Sequence, residues 1–480
     1  MKKQILIATI VYSSLSILQP LSNFILLPVY TKYFSESQYG TFSILSNLNI
    51  LFSILSGLSI VHAIIAFYTS YNDDKEALNK YVGNVLAFTL CFNAGFLLIV
   101  SLFGNLLFGA IFKEHIDFFP NGLLTVSYGL LTNISLGYLF FLKYEKKVSR
   151  YAFIALIQFV LSVLVQYVFI VVFKTGITGA LWARLIVAFM GFVVIVIYHH
   201  RYIFKRIDFA NNIKPSLKYS IYTIPSSIIY WLSSYGDRFL IERMIDLRSL
   251  GIYSFLSTIS SLTEMGFLAL GSALQPFIFD FFKTKENVKT QHLYKLFLLL
   301  AVCGASFIIF AGSNLDILIQ NKGYLSMVKY LTVMIVGYLF SALAYLIGLQ
   351  IIYARRSRYF IYIGIIVLVT NLSLNALLIP LYGIWGTVIS SVVTKFAAAL
   401  STFYFANRSF SMPVYKSNYA MLLVLIFLMM GFWTSAQLNY LSFNVSGILQ
   451  FIAIILGVSI IYKALIRQSI KEMIAAVKKR

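Results

Sequence analysis

Charge is scarce in this sequence of 480 residues. Charged residues make up 11% of the chain and hydrophobic residues 60%, and the mean hydropathy is +0.85. A water-soluble domain of this size needs a far more charged surface, so the composition excludes a soluble protein. It is typical of an all-α polytopic membrane protein. Acidic residues are the scarcest, with 16 Asp and Glu against 38 Lys and Arg, which leaves a net charge of +22.

Cysteine and the common catalytic motifs are also lacking. The two cysteines, Cys91 and Cys303, lie inside apolar runs, so the sequence predicts neither a disulfide nor a cysteine metal site. It contains no HExxH motif, no Walker loop and no dinucleotide-binding fingerprint. No carboxylate pair is clustered in a sizeable outer loop. We therefore expect no enzymatic activity, and we predict no catalytic residues, no metal site and no bound cofactor.

Apolar runs long enough to cross a bilayer are abundant. Fourteen windows meet this requirement and are called spans 1 to 14. In chain order they are residues 6–30, 41–69, 82–112, 120–142, 151–173, 178–199, 217–236, 250–281, 293–313, 325–353, 359–379, 385–406, 418–434 and 447–466. The connectors between the spans are short, so we expect no extramembrane domain.

Basic residues are distributed unevenly between the two sides of the membrane. With the N-terminus placed in the cytoplasm, 28 of the 38 Lys and Arg fall in cytoplasmic connectors and tails, and eight fall in outer connectors. The positive-inside rule therefore predicts that both termini lie in the cytoplasm. This topology also explains the net charge, so we predict no nucleic-acid partner.

Three stretches of the first half of the chain recur in the second half in the same order. The pairs, with offsets of 207, 208 and 211 residues, are 174–179 and 381–386, 149–151 and 357–359, and 40–45 and 251–256. The preserved order and spacing indicate an internal duplication. Duplicated bundles are typical of transporters, because a site between two similar bundles can open to either side.

Each copy of the repeat contains six spans, so both copies enter the membrane in the same orientation. We predict two six-helix bundles, at residues 1–210 and 211–410, related by a pseudo-twofold axis along the membrane normal. Residues 411–480, with spans 13 and 14 and a basic cytoplasmic tail, lie outside the repeat. The predicted fold class is therefore an all-α membrane protein of about 14 transmembrane helices.

Two cations lie well inside predicted spans, where charge is costly and marks candidate functional sites. They are Arg184 in span 6 and Lys395 in span 12. With the offset of 207, Arg184 corresponds to Ser391 and Lys395 to Ala188, so both cations project from equivalent faces of equivalent helices. Two cations directed into one central cavity predict an anionic substrate. The alternative for Arg184 is that its side chain extends toward the outer interface.

Three uncharged or acidic positions complete the candidate site. Glu264 in span 8 binds a coupling proton or Na⁺, pairs with a cation across the cavity, or is a protonated carboxyl held by nearby hydroxyls. The first alternative would couple transport to a H⁺ or Na⁺ gradient or to the membrane potential. Asn371 and Asn375, one turn apart in span 11, either contact sugar hydroxyls or pair with neighbouring helices.

Several stretches carry a resemblance to one family. Residues 27–40 contain Leu-Pro-Val-Tyr-Thr-Lys-Tyr-Phe followed by Ser-Gln-Tyr-Gly, and residues 237–254 contain Asp-Arg-Phe-Leu-Ile followed by Leu-Gly-Ile-Tyr-Ser. Residues 371–386 contain two asparagines ahead of Ile-Pro-Leu-Tyr-Gly-Ile-Trp-Gly. These stretches resemble the polysaccharide (Wzx-type) flippases of the multidrug/oligosaccharidyl-lipid/polysaccharide (MOP) exporter superfamily, which includes the MATE transporters. The chain departs from many such flippases in having fourteen predicted spans rather than twelve.

The resemblance implies a flippase that moves undecaprenyl-diphosphate-linked oligosaccharide repeat units from the cytoplasmic to the outer leaflet of the bacterial cytoplasmic (inner) membrane. It implies alternating access between two bundles and a role in the biosynthesis of O-antigen or another surface polysaccharide. The expected partners are this lipid-linked substrate, the lipid bilayer and the polysaccharide polymerase or assembly proteins. The diphosphate is anionic, which agrees with the cationic cavity inferred from the residues.

Two alternatives remain open. A multidrug (MATE-type) cation-coupled exporter of the same superfamily would need acidic residues in its cavity, and this chain offers Glu264 against two cations. A lipid-dependent polymerase or glycosyltransferase would need a large outer loop. The longest candidate loop, residues 237–249, is too short to fold into an active site.

Overall fold

The computed structural model describes residues 15, 18–71, 74–203, 207–317, 319, 321–410 and 416–478, and over this part of the chain all regular secondary structure is helical. This confirms the predicted all-α fold. A helix satisfies its backbone N–H and C=O groups within one segment, which the hydrocarbon core of a bilayer demands of any spanning structure.

The α-helices follow the predicted spans closely, and several exceed the length that a bilayer requires. They are Leu18–Ile25, Leu27–Tyr33, Glu36–Leu55, Ala63–Phe67, Lys75–Ile111, Leu123–Tyr144, Val148–Tyr167, Gly176–Ile203, Lys214–Ser220, Thr223–Met244, Leu247–Thr284, Asn287–Ser313, Lys322–Leu325, Leu331–Tyr353, Arg358–Tyr382, Ile384–Ser409, Lys416–Gln437 and Phe443–Lys478. Short 3₁₀ or π segments join some of them.

Twelve helical segments of the described chain are long and apolar enough to cross a membrane, and they correspond to spans 2–6 and 8–14. Span 1 falls partly on residues outside the described part. Span 7 forms the helix Thr223–Met244, but its serines, tyrosines and charged outer end make it less apolar than the other twelve. The structure thus confirms a polytopic helical membrane protein.

Span 2 contains a break that its neighbours stabilise. Gly57, Leu58 and Ser59 have φ angles of 53°, 54° and 57°, which interrupt the right-handed helix with a left-handed turn. The Asn93 side-chain oxygen accepts hydrogen bonds from the Ser56 hydroxyl at 2.9 Å and from the Gly57 N–H at 3.1 Å. Irregular backbone is tolerated at membrane depth where protein groups supply the missing hydrogen bonds.

The chain folds into two compact units. The first comprises Met1–Phe255 with Ile361–Ser390, and the second comprises Leu256–Phe360 with Ser391–Arg480. In the first, buried apolar side chains of spans 2, 3, 4 and 6 form a continuous core. In the second, span 9 packs against spans 10, 13 and 14. The predicted bundles, residues 1–210 and 211–410, are defined by the sequence repeat, whereas the compact units are defined by contacts. The predicted boundaries therefore stay a prediction.

Within the first unit, spans 2 and 8 meet at two glycines that the repeat makes equivalent. A Cβ atom on Gly40 would overlap the carbonyl oxygen of Leu247, and one on Gly251 would overlap the carbonyl oxygen of Glu36. The offset of 211 relates Gly40 to Gly251 and Glu36 to Leu247, so each contact is the counterpart of the other. A self-complementary contact of this kind is what a local twofold axis produces, and it supports the predicted pseudo-twofold relation.

The close approach of spans 2 and 8 predicts that Gly251→Ala is destabilising. The new methyl group meets backbone on a facing helix, which cannot move aside as a side chain can, so we expect a loss of about 1–3 kcal/mol. Gly266→Ala in the same helix is the matched control, because a Cβ there has nothing within 4 Å. Thermal unfolding in detergent measures both. Equal unfolding temperatures for the two variants would contradict the contact.

Candidate functional site

Lys395 and Glu264 lie together in the second unit. The Lys395 Nζ donates a hydrogen bond to Ser391 Oγ at 3.0 Å, one helical turn back along span 12. It also lies 4.5 Å from the centroid of the Tyr338 ring in span 10. The Glu264 carboxyl, on span 8, is within electrostatic range of the ammonium group. Three spans therefore contribute to one half-buried polar cluster.

Local packing explains how span 12 accommodates a lysine at this position. Lys395 runs along span 10 where Gly337 lacks a side chain, and a Cβ at Gly337 would lie 3.3 Å from the Lys395 Cδ. The aliphatic part of the lysine is thus packed against protein, while its ammonium group contacts a hydroxyl and a ring and has a carboxyl within electrostatic range. Such partners reduce the cost of a charge at membrane depth.

Glu264 lies within electrostatic range of Lys395, and the three alternatives that the sequence left open for it stay predictions. Nearby hydroxyls of the same helix bond to their own backbone, Ser260 to the Leu256 carbonyl and Ser261 to the Thr258 carbonyl, both at 2.8 Å. Binding of a coupling ion by Glu264 stays a prediction.

Arg184 lies inside the first unit, where its guanidinium group is surrounded by neutral acceptors. It donates to Gln166 Oε1 at 3.2 Å, to Ser46 Oγ at 2.6 Å and to Asn23 Oδ1 at 2.9 Å. The guanidinium carbon also lies 4.3 Å from the centroid of the Phe42 ring. The side chain is only 7% exposed, so this cation links spans 1, 2, 5 and 6.

The two predicted cations therefore have different surroundings. Arg184 is enclosed in the first unit, whereas Lys395 is half-buried beside an acid in the second. The repeat still relates them, because Lys395 reaches back to Ser391, the counterpart of Arg184. The Lys395 ammonium group thus lies beside the residue that corresponds to Arg184. The binding of substrate by either cation stays a prediction.

Asn371 and Asn375 bond to each other and to span 12. The Asn375 side-chain nitrogen donates to the Asn371 carbonyl at 2.9 Å and to its Oδ1 at 3.2 Å, and Ser390 Oγ donates to the same carbonyl at 3.4 Å. Both asparagines are buried. The described side-chain bonds of the two asparagines thus stay within span 11, and the Asn371 backbone carbonyl is the group that contacts span 12. Helix pairing by these side chains and contact with sugar hydroxyls both stay predictions.

Two acidic residues of the predicted outer connectors accept hydrogen bonds from backbone N–H groups in the first unit. Glu242 Oε1 accepts from the N–H groups of Lys113 and Glu114 at 2.8 and 2.7 Å, and Glu114 Oε1 accepts from the Leu247 N–H at 2.8 Å. Burial raises the pKa of the Glu242 carboxyl, while the two backbone hydrogen bonds act to lower it. Together these hydrogen bonds fasten the connector after span 3 to Glu242 and to the start of span 8.

Sequence reasoning missed the partners of the charged residues. These partners are neutral residues in apolar spans, and a neutral residue does not mark a functional site in a sequence as a charged one does. They are Asn23, Ser46, Gln166 and Tyr338. Glu242 offered a weak signal, since acidic residues are rare in this chain. The contacts join positions far apart in sequence, and only the tertiary structure brings them together.

The surroundings of Arg184 predict that Arg184→Ala destabilises the first unit. Removing the guanidinium leaves the Ser46 and Asn23 oxygens without this donor and Gln166 Oε1 with only the Tyr30 hydroxyl. An acceptor that stays dry costs about 1–3 kcal/mol. Lys395→Ala is the comparison, because Lys395 is more exposed. We expect a clearly lower unfolding temperature in detergent for the Arg184 variant. A larger loss for the Lys395 variant would count against a structural role of Arg184.

Comparison with known proteins places these features in context. The sequence matches the family described as polysaccharide biosynthesis protein over residues 5–282. The capsular polysaccharide biosynthesis protein CapF of Staphylococcus aureus is 24% identical over 357 residues, which cover 70% of this chain and 84% of CapF.

Solved structures share the fold. The lipid II flippase MurJ in an inward closed conformation matches with a TM-score of 0.69 at 16% identity, over 94% of this chain and 99% of MurJ. A mutant of the Vibrio cholerae MATE transporter VcmN matches with a TM-score of 0.60 at 16% identity, over 85% of this chain and 97% of VcmN. At these identities the likeness establishes the fold, which is the one expected from the sequence.

Proposed function

Because the chain belongs to the polysaccharide biosynthesis protein family and has the fold of the MOP transporters, we propose that it is a flippase for undecaprenyl-diphosphate-linked oligosaccharide. It moves this lipid from the cytoplasmic to the outer leaflet of the bacterial inner membrane for the assembly of a surface polysaccharide. Both of its termini lie in the cytoplasm. Polymerase and assembly proteins receive the product on the outer side.

The observation that carries this proposal is the cluster around Lys395. A lysine at membrane depth is costly and is retained where it binds something. Its present neighbours, the Ser391 hydroxyl, the Tyr338 ring and the Glu264 carboxyl, offset only part of the cost. An incoming diphosphate carries more negative charge than one carboxylate and competes with Glu264 for the ammonium group. The Lys395 ammonium group therefore exchanges one anionic partner for another and keeps a counter-charge throughout.

The proposed cycle alternates between two accessible states. The headgroup enters from the cytoplasmic side while the polyprenyl tail remains in lipid, and the diphosphate binds Lys395. The bundles then rearrange and expose the headgroup outward. Arg184 adds positive potential from within the first unit and keeps spans 1, 2, 5 and 6 in register through its hydrogen bonds.

Glu264 is the proposed coupling residue. When the diphosphate displaces it from Lys395, the carboxylate loses its counter-charge and gains affinity for a proton or Na⁺. The H⁺ or Na⁺ gradient, or the membrane potential, then biases the return of the empty protein. This exchange requires one acid and one cation in the same site, as this chain has. An exporter of organic cations instead needs an acid whose charge is not neutralised by a cation of the protein itself.

The proposal predicts that transport depends on the charge of Lys395. In proteoliposomes, Lys395→Met should reduce flipping of the lipid-linked oligosaccharide about tenfold or more, as expected for loss of one charge-assisted bond. Lys395→Arg should retain most of it. Lys80→Ala, which removes an exposed cation outside the polar cluster, is the control. The measurement is the fraction of labelled headgroup protected from a membrane-impermeant quencher.

Two outcomes would overturn the proposal. Undiminished flipping by the folded Lys395→Met protein would remove the diphosphate from this site. Absence of flipping by the wild type, together with efflux of a fluorescent organic cation, would move the chain to the multidrug alternative.

Coupling has a separate test. Glu264→Gln carries no charge at any pH and therefore mimics a permanently protonated carboxyl. We expect downhill flipping to persist in this variant, while acceleration by an imposed pH or Na⁺ gradient disappears. A variant that still responds to the gradient as the wild type does would exclude Glu264 as the coupling residue.

A further inference from the structure

One side of span 7 carries hydroxyl groups and aromatic rings along most of its length. The residues recur every three or four positions, which places them on one side of a helix. They are Tyr219, Tyr222, Ser226, Tyr230 and Ser233, and they are called the hydroxyl face. Backbone angles stay helical across the junction between the two helical segments of span 7, so this side is continuous.

The three tyrosines of the hydroxyl face are exposed in the structure. Tyr219 is 43% exposed, Tyr222 76% and Tyr230 68%. Large apolar side chains also lie exposed on many other spans, where lipid covers them. A phenol differs from these, because it joins an apolar ring to a hydroxyl group and therefore suits contact with water or a polar ligand.

Other sides of span 7 are packed against the first unit. Trp231 is buried, and its indole N–H donates to the Asn47 carbonyl of span 2 at 2.8 Å. Ile229 packs against Gly364 of span 11. A Cβ atom added to Gly364 would lie 3.3 Å from the Ile229 Cγ2 methyl group. These contacts fix the rotation of the helix, so the orientation of the hydroxyl face is determined by packing.

The hydroxyl oxygens of the two serines on this face can still accept a hydrogen bond from a ligand. Ser226 Oγ donates to the Thr223 carbonyl at 2.8 Å, and Ser233 Oγ donates to the Ile229 carbonyl at 2.7 Å. Each hydroxyl hydrogen is thus used within the helix, while the oxygen can still accept a hydrogen bond from a ligand. The phenol groups of the tyrosines can both donate and accept.

Span 7 is less apolar than the twelve described helices that qualify as membrane-crossing. A helix with a polar side is stable at membrane depth when that side meets water or a polar ligand rather than lipid tails. None of the five residues of the hydroxyl face is charged, so a diphosphate is poorly matched to it. A neutral ligand rich in hydroxyl groups is well matched.

Sugar rings have the complementary chemistry. A pyranose presents an apolar C–H face that covers an aromatic ring, and a rim of hydroxyl groups that donate and accept hydrogen bonds. Tyrosine offers a rigid amphipathic surface at little entropic cost, and serine offers adaptable hydrogen bonding. We propose that the hydroxyl face of span 7 binds the sugar rings of the transported headgroup. This inference rests on the proposed flippase function and assigns its sugar-binding surface.

A first experiment tests whether the hydroxyl face meets water. In a background with Cys91→Ala and Cys303→Ala, Tyr222→Cys should react with a membrane-impermeant maleimide, because the thiolate forms only in a polar environment. Ile221→Cys is the matched control, since Ile221 is 53% exposed at the same depth but belongs to another side of the helix. Equal labelling of both cysteines would overturn the proposal.

A second experiment tests sugar binding by transport. The probe is the undecaprenyl-diphosphate-linked oligosaccharide extracted from the source bacterium and tagged on its terminal sugar. The double variant Tyr222→Leu/Tyr230→Leu should raise the half-maximal lipid concentration about tenfold, as expected for the loss of two aromatic contacts. Tyr222→Phe/Tyr230→Phe keeps the rings and should change it far less. Ile221→Ala is the control for exposed positions outside the face.

The outcomes separate this inference from the proposed function. Wild-type transport with unchanged concentration dependence in the folded leucine variant would overturn the sugar-binding surface and leave the flippase intact. Wild-type protein that transports no lipid-linked oligosaccharide would overturn both. A matching loss in the phenylalanine variant would show that hydrogen bonds rather than ring contacts dominate, and it would contradict the role assigned to the rings.

Discussion

The absence of water from the hydrocarbon core is the constraint on which this structure depends. Backbone groups must be satisfied within each segment, so the apolar runs become helices. Where a helix breaks, as at Gly57, a side chain of the same unit supplies the missing acceptor. The same constraint makes each polar group at membrane depth informative, because it persists only with a partner or a function.

Charged groups in the spans follow this constraint in two ways. Arg184 is stabilised by three neutral acceptors and an aromatic ring, so it joins four spans of the first unit. Lys395 keeps a half-buried position beside the Ser391 hydroxyl and the Tyr338 ring, with an acid within electrostatic range. The enclosed cation joins helices of its unit, and the half-buried one is the cation on which the proposed function depends.

The internal repeat is visible in packing as well as in sequence. Gly40 and Gly251 meet through equivalent contacts, and Gly176 and Gly383 share left-handed φ angles of 64° and 57° at the starts of spans 6 and 12. Close to the glycine contact, Glu114 and Glu242 fasten connectors on the predicted outer side.

The sequence by itself determined the helical class, the positions of most spans and the family resemblance. These depend on the transfer free energy of each residue and on local patterns, which are readable along one chain. It also located Arg184, Lys395 and Glu264, because charges stand out in apolar spans. Only the tertiary structure decided that Arg184 is enclosed by Asn23, Ser46 and Gln166 and that Glu264 approaches Lys395. Those contacts join segments far apart in sequence, and the orientation of each helix is fixed by packing that no local pattern encodes.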